Sequence, residues 1–412
     1  MKNVPKLRFS GFSDEWAEKK IGELYDDLKA GSTPSKLKSE YFKGNVPWIT
    51  SGELKSKYIY STLEYITEEA KQSANLKLYD EGTLFIAITG LEAPGTRGSC
   101  AINKVKATTN QSCMAFQKSN LVNNEFTYYW YNLYGEYIGI TYTQGTKQQS
   151  LNNKLVADLK ISIPSIEEQE KIANFLTKVD KLIEKQDEKV NNLEQYKKGM
   201  MQKIFSQEIR FKKDDGGEYP EWEEKSISEI ANLTSSKRIF LSDYVDSGVP
   251  FYRGKEITEL KANKTPSDIL YITEEKYKEI KESYGVPKIG DILLTAVGTL
   301  GNSYVINNEE PFYFKDGNLI WFKEISINSI FLDLYLSSPH GQKKVLDSAI
   351  GSTQKALTIV ALNKIKIYIP NTEEQIKIAN FLSKIDSIVE KEKEKLEELR
   401  VWKKGLLQGM FV

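Results

Sequence analysis

The sequence predicts an α+β protein made of one plan used twice. Two modules with curved mixed sheets are each followed by a long helix, and the two helices pair as an intramolecular antiparallel coiled coil. Three observations predict this. Residues 151–205 recur at 357–411 without a gap, with about 26 identities, far beyond chance similarity. Both copies carry apolar residues at a heptad spacing. The stretches before them break short β-rich runs with Gly and Pro turns.

The first module spans residues 1–150. Strand signals lie at 58–60, 83–89 and 113–116, punctuated by Gly31, Pro34, Gly44, Pro47, Gly95 and Gly98. Helical stretches are fewer, at 68–72 and 125–134.

The segment 151–208 follows. Pro164-Ser165 with Glu168 three residues later reads as a capping box. One apolar row is Ile172, Val179, Gln186, Leu193, Met200; the other is Leu176, Ile183, Val190, Lys197, Ile204. The predicted helix runs about 33 residues to Gly199, or about 50 Å at 1.5 Å per residue.

A charged, Gly-containing linker at 210–217 opens the second module, 209–356. It echoes the first. Tyr65-Ile-Thr-Glu-Glu69 matches Tyr271-Ile-Thr-Glu-Glu275, and Glu15-Trp16 resembles Glu221-Trp222. Strand signals fall at 292–297 and 318–322, helical ones at 274–283 and 332–347. The last segment, 357–412, repeats the cap with Asn371 and Glu374 and the seam up to Gly405.

The seam is broken by polar residues at the same places in both copies: Gln186 and Lys197, then Glu392 and Lys403. An antiparallel register that sets Lys197 opposite Glu392 and Gln186 opposite Lys403 also stacks Ile183 on Leu406 and Val190 on Leu399. A parallel pairing would bring Lys197 against Lys403, which repels. Buried polar positions commonly fix register.

Composition excludes several classes. The chain has 412 residues, 40% apolar and 28% charged, with no net charge. No run approaches the ~18 apolar residues of a membrane span and no apolar leader is visible; two cysteines, too few for a framework, make a reducing cytoplasm the expected compartment. Two cysteines and one histidine argue against a disulfide framework or a zinc site. No segment is a strongly basic slab. A protein holding DNA alone by phosphate neutralisation would be more basic, so any nucleic-acid role needs local patches or a basic partner.

Catalytic signatures are missing. Gly254-Lys255 is followed by Glu256, so there is no phosphate-binding P-loop. No Asn-Pro-Pro-aromatic run offers to hold a flipped adenine, and no G-x-S-x-G elbow occurs. His340 stands alone in Ser-Pro-His-Gly. Cys100 and Cys113 read as packing residues, neighbours across a hairpin. The acid pairs Asp26-Asp27 and Glu68-Glu69 read as solvated faces.

What remains is a set of polar loops at matched places. Residues 31–36 correspond to 235–238, 145–150 to 351–356, and 95–98 to 298–302. They offer backbone N–H groups, hydroxyls, amides and cations without apolar bulk, the mix that phosphates and base edges require.

The module opening Leu7-Arg-Phe-Ser-Gly-Phe12, the stretch Pro47-Trp-Ile49 and the paired helices reading IPSIEEQEKIANFL and IPNTEEQIKIANFL complete a pattern. Over its whole length the chain resembles the DNA-specificity subunit of type I restriction-modification enzymes. The resemblance implies that 1–150 and 209–356 are target recognition domains, each reading one half of a split double-stranded DNA target, and that 151–208 and 357–412 are spacers setting the distance between halves. It implies two docked copies of a modification subunit carrying S-adenosylmethionine-dependent adenine N6-methylation, a motor-nuclease subunit, and no cofactor or catalysis in this chain. Because the modules differ strongly, the target should be asymmetric. By chemistry and loop position, the DNA-contacting residues expected are Ser32, Thr33, Lys36, Arg97, Lys147 and Gln148 in the first module. In the second they are Lys237, Arg238, Arg253, Lys255, Asn302, Gln354 and Lys355. The alternatives are a scaffold whose modules bind a non-DNA ligand, and a self-sufficient DNA-modifying enzyme.

Overall fold

The computed structural model describes residues 3–93, 95–143, 149–351 and 355–412. The chain divides into two compact units, Met1–Asp187 with Lys395–Val412, and Glu188–Glu394.

In the first unit a five-stranded sheet has the order Lys29–Ala30, Cys113–Phe116, Leu84–Ala87, Cys100–Asn103, Tyr58–Ile59. The three middle strands are buried throughout, which explains their apolar and small residues; the one polar member, Asn103, is satisfied by hydrogen bonds with Asp80 O, Val105 O and Thr83 N–H. Only Tyr58–Ile59 pairs in parallel, on Cys100–Asn103. A second mixed sheet joins Glu64–Ile66, Val46–Ile49 and Thr108–Thr109. Cys100 and Cys113 are buried on the two strands that flank Leu84–Ala87, opposite Ile86 and Ala87, rather than across a hairpin from one another. Burial pushes the Cys113 thiol up to about 12, consistent with a packing role. The helix Asn124–Thr141 starts where the Asn123 side chain accepts the N–H groups of Glu125 and Phe126. Gly135 lets it approach the loop at Gly98, since a Cβ there would lie 2.4 Å from the Gly98 Cα.

The second unit repeats the design. One sheet has the order Asn232–Thr234, Leu319–Lys323, Ile292–Thr295, Ser303–Val305; the other is Tyr244–Val245, Leu270–Ile272, Val249–Tyr252, Tyr313–Phe314, parallel at its last pairing. The helix expected over 332–347 is two, Ser329–Ser337 and Pro339–Asp347. Pro339 has no N–H to continue the first, and the Ser338 side chain accepts from Gly341 N–H to start the second.

The long helices are Ile166–Phe205 and Thr372–Met410. Neither stops at its glycine. Phe205 packs edge-on against Phe331 and Tyr335 in the second unit; in the first, Phe411, just past the second helix, packs edge-on against Trp16 and tilted against Phe126. Burying such side chains stabilises by about 1.5–3 kcal/mol each, more than the ~1 kcal/mol a glycine loses relative to Ala.

Within each unit the helices run antiparallel. In the first, Lys403 pairs with Asp180 at 2.6 Å and Arg400 with Asp187 at 3.0 Å. In the second, Lys189 pairs with Glu392 at 2.6 Å, Lys393 with Glu194 at 2.8 Å, and Lys197 with Asp386. The ion pairs thus differ from the expected register: Lys197 meets Asp386 instead of Glu392, and Lys403 meets Asp180 instead of Gln186. Asp180 and Asp386 are the same position of the repeat. Each lysine reaches a carboxylate beside the seam, and a carboxylate makes a stronger hydrogen bond to an ammonium than an amide does.

The EEQ run has a second task. The Ser165 side chain accepts from Glu168 N–H, and Asn371 from Glu374 N–H, as half of a capping box. The glutamates do something else. Glu168, almost fully buried, takes Arg8 in a bidentate pair with both contacts at 2.8 Å. Glu374 takes Arg210 at 2.8 and 3.3 Å and also accepts from the Trp222 indole. The neighbouring glutamines accept from Asn123 N–H and Asn328 N–H, the residues that cap a helix of each module. Phe9 and Phe211 then pack edge-on against Phe175 and Phe381. Each module is therefore tied to the first turns of the helix that follows it.

Candidate nucleic-acid interface

In the second unit the strand Val249–Tyr252 ends at Arg253, and the helix Gly254–Lys261 begins. Beside it a cleft of ≈ 530 Å³ is lined by Lys255, Thr258, Asp268, Thr299 and Asn318, among others. Its wall is the loop after strand Ile292–Thr295. The Thr295 hydroxyl staples this loop, donating to Thr299 O at 2.5 Å and accepting from Asn302 N–H at 2.9 Å. Gly298 and Gly301 both sit at φ +79, the left-handed region that glycine tolerates.

Three of the expected residues, Arg253, Lys255 and Asn302, come together here. Only Lys255 is exposed without an ion pair among the described residues. Arg253 is held by the buried Glu256 carboxylate, at 2.6 Å, and donates to Asp268 O at 2.9 Å. The carboxylate raises the guanidinium above its ordinary pKa. The Asn302 amide donates to Thr258 at 3.2 Å. Arg253 lines the cleft and Asn302 braces Thr258 in its wall, each held by a partner within the protein. Lys237 and Arg238 stand on a neighbouring loop. Lys237 N–H donates to the Tyr313 hydroxyl, its ammonium lies 4.7 Å from the Tyr284 ring centre, and Arg238 reaches Asp316 at 3.1 Å while staying 69% exposed. Lys315 N–H donates to Tyr252 O, so the 315–317 turn borders both groups. Lys355 is exposed; Gln354 lies outside the described residues.

The first unit presents the counterpart. Its loop 31–36 leans on the end of strand Thr108–Thr109: Ser32 N–H donates to Thr109 O, and the Trp48 indole donates to Ser32 O. A side chain at Gly31 would collide with Thr109 O at 1.8 Å. Thr33 donates to Gln111, and Lys36 is exposed. Where the second module has Arg253 and Glu256, the first has Thr50 and Glu53, with the same carboxylate-to-N–H bond. Arg97 is drawn inward: it reaches Gln149 at 3.0 Å and Glu136 at 3.4 Å and packs on Gly139. It fastens a loop to the helix Asn124–Thr141. Lys147 and Gln148 lie outside the described residues.

The two units share a core strand order, with Tyr58–Ile59 added at one sheet edge in the first and Tyr244–Val245 in the second, and they carry different side chains at matched loops. The family model described as type I restriction modification DNA specificity domain matches twice, over residues 13–195 and 219–400. The chain belongs to that family. It is 27% identical to the type I restriction enzyme MjaVIII specificity subunit of Methanocaldococcus jannaschii, across 94% of this chain and 90% of that one. It is 30% identical to the EcoR124I/EcoR124II specificity subunit of Escherichia coli, across 43% of each. The fold matches the crystal structure of the type I restriction-modification S subunit from M. genitalium with a TM-score of 0.58 at 18% identity, covering 99% of both.

For a specificity-family chain the mount of each module matters as much as its loops, and sequence reading missed the mount. Lys57, nearly buried, directs its ammonium to Glu125 at 3.2 Å, the Tyr129 hydroxyl at 3.0 Å and Thr177 of the first long helix at 2.5 Å. Tyr129 donates to Asp180, the partner of Lys403. One polar chain thus ties the first module to both long helices within its unit. Burial holds the Lys57 ammonium below its ordinary pKa, against the pull of Glu125. In the second unit Lys261 donates to Ser337 at 2.7 Å and lies 3.9 Å from Asp333. Lys57 stands among exposed polar neighbours in the sequence; only the fold reveals its burial. Among the described residues no helix is long and apolar enough to cross a membrane, and no cluster of His, Cys, Asp and Glu could hold a metal.

Proposed function

We propose that this chain is the DNA-reading subunit of a type I restriction-modification complex, in which each module, 1–150 and 209–356, reads one half of a bipartite, asymmetric target. The segments 151–208 and 357–412 act as the spacer and carry the docking surface for the partners. The observation behind this reading is the pairing of one scaffold with two sets of loop chemistry: Lys36, Thr33 and Thr50 in the first module, Arg238, Lys237 and Arg253 in the second. Half-sites read from one side of the duplex fall near whole turns, about 34–36 Å apart. Exposed Lys36, Lys237, Lys255 and Lys355 would hold phosphates, with Ser32, Thr33 and Arg238 nearer the bases. Arg97, Arg253 and Asn302 support the loops. Lys147, Gln148 and Gln354 keep their sequence-based assignment as contacts.

The chain supplies specificity, and the chemistry belongs to its partners. We assign two copies of an adenine N6-methyltransferase subunit, which bind S-adenosylmethionine, and a motor-nuclease subunit, all in the cytoplasm. The near-neutral charge fits a complex in which partner subunits share the backbone grip. Single-molecule methylome sequencing of cells with and without the chain tests this. Loss of one bipartite methylated motif is expected; an unchanged methylome in a host that expresses the modification subunit would refute it.

A further inference from the structure

Both modules raise an exposed apolar tip at the same place. In the first unit Leu37 comes seven residues after the end of strand Lys29–Ala30 and is 97% exposed. In the second, Leu241 comes seven residues after the end of Asn232–Thr234 and is 85% exposed, next to Phe240 at 62%. Each tip stands at a short helical turn, Ser39–Phe42 or Leu241–Asp243. Each is close in sequence to cations, Lys36 and Lys38 in one case and Lys237 and Arg238 in the other. The loops beneath are anchored by the Ser32–Thr109 and Lys237–Tyr313 hydrogen bonds described above.

One exposed leucine on a surface means little. Two at one topological position, on anchored loops of differing sequence, each accompanied by cations, form a pattern. A cationic loop meets phosphates, and the apolar group that a duplex offers between its phosphate rows is the thymine 5-methyl in the major groove. We propose that Leu37 in one module, and the Phe240–Leu241 pair in the other, enter the major groove and pack on a thymine methyl, each in its own half of the target. This rests on the DNA-reading function proposed above.

The methylome of cells expressing the wild-type chain first gives the target; if no bipartite motif is found, the DNA-reading function fails, which is a separate result. Affinity of the assembled complex is then measured for the target duplex and for duplexes with deoxyuridine replacing each thymidine in turn. One methyl is expected to matter in each half-site, its removal weakening binding about fourfold, the equivalent of one buried methyl-sized group. Leu37→Ala should weaken binding by at least as much and abolish the methyl dependence in one half-site only, and Leu241→Ala in the other. Because these side chains are so exposed, melting temperatures should match the wild type. Full affinity in both variants, or weakening that leaves the methyl dependence intact, would overturn the proposal.

Discussion

A carboxylate buried against a guanidinium is worth little against an apolar pair of equal size, yet removing one partner alone is costly, because the other charge stays buried. Glu168 and Glu374 are almost wholly buried, and Arg8 and Arg210 mostly so. Glu374→Gln is therefore expected to lower unfolding stability by about 3–5 kcal/mol, and the double variant Glu374→Gln/Arg210→Met by clearly less, as read from urea unfolding. Equal losses would mean that Arg210 is not the partner that matters. Asp291 gives a pH test. It accepts from Lys288 N–H at 2.9 Å and from the Trp321 indole at 2.8 Å, but burial outweighs both and raises its carboxyl above the ordinary value. A group raised in the folded state contributes fully below its unfolded pKa of ~3.8, and that contribution is lost as pH rises through the folded value. Asp291→Asn keeps an acceptor and cannot ionise. Its stability relative to wild type should rise with pH from near 4 and then level off; a difference that is flat with pH would show that the carboxyl is not perturbed.

At the level of elements, the two long helices were legible because a heptad seam and its copy are strong signals. Their ends and register were not. The helices outrun Gly199 and Gly405 because distant aromatic partners for Phe205 and Phe411 are invisible to a local pattern. A Cβ at either glycine would meet nothing within 4 Å. Gly199→Ala should therefore stabilise by about 1 kcal/mol, a rise in the midpoint of thermal unfolding, and an unchanged or lower midpoint would place strain there. The register turned on Asp180 and Asp386, residues beside the seam, whereas the sequence drew attention to the polar residues within it. Lys403→Glu should destabilise the chain, and Asp180→Lys should restore part of the loss in the double variant; additive losses would argue against the pair. In the modules, the buried strands showed as apolar runs, while the split of 332–347 at Pro339 needed only more weight on proline. Among the described site residues, Lys36, Lys237, Lys255 and Lys355 stayed at the surface. Arg97, Arg253 and Asn302 turned inward because sequence cannot show that Gln149, Glu256 and Thr258 wait beside them.

At the level of the whole molecule, the chain closes on its own repeat. In the second unit the path from Phe205 to Arg210 is continuous, and Ile209 N–H donates to Lys203 O at 3.1 Å. In the first unit the equivalent bond joins Leu7 N–H to Gly409 O at 2.8 Å, although these residues lie near opposite ends of the sequence. Four residues separate Phe205 from Arg210. Joining Val412 directly to Pro5 would place four residues between Phe411 and Arg8 as well. A circular permutant made this way, with new ends opened within the exposed turn Asp214–Gly217, should keep every strand of both units' sheets and both long helices. Its losses are local: the bonds from Asn3 to Trp16 O and Ser162, at 2.8 and 3.0 Å, those from Trp16 N–H to Asn3 O at 2.9 Å and from Lys213 N–H to Gly217 O at 2.8 Å, and the Lys377–Asp214 pair. The half-buried hydrogen bonds contribute about 1 kcal/mol each and the exposed ion pair little, so the permutant should fold with a slightly lowered melting temperature. If recognition depends on the units and not on the order in which the chain visits them, cells carrying the permutant should show the same methylated motif as cells carrying the natural order. A folded permutant that methylated a different motif would show that chain order itself sets the target.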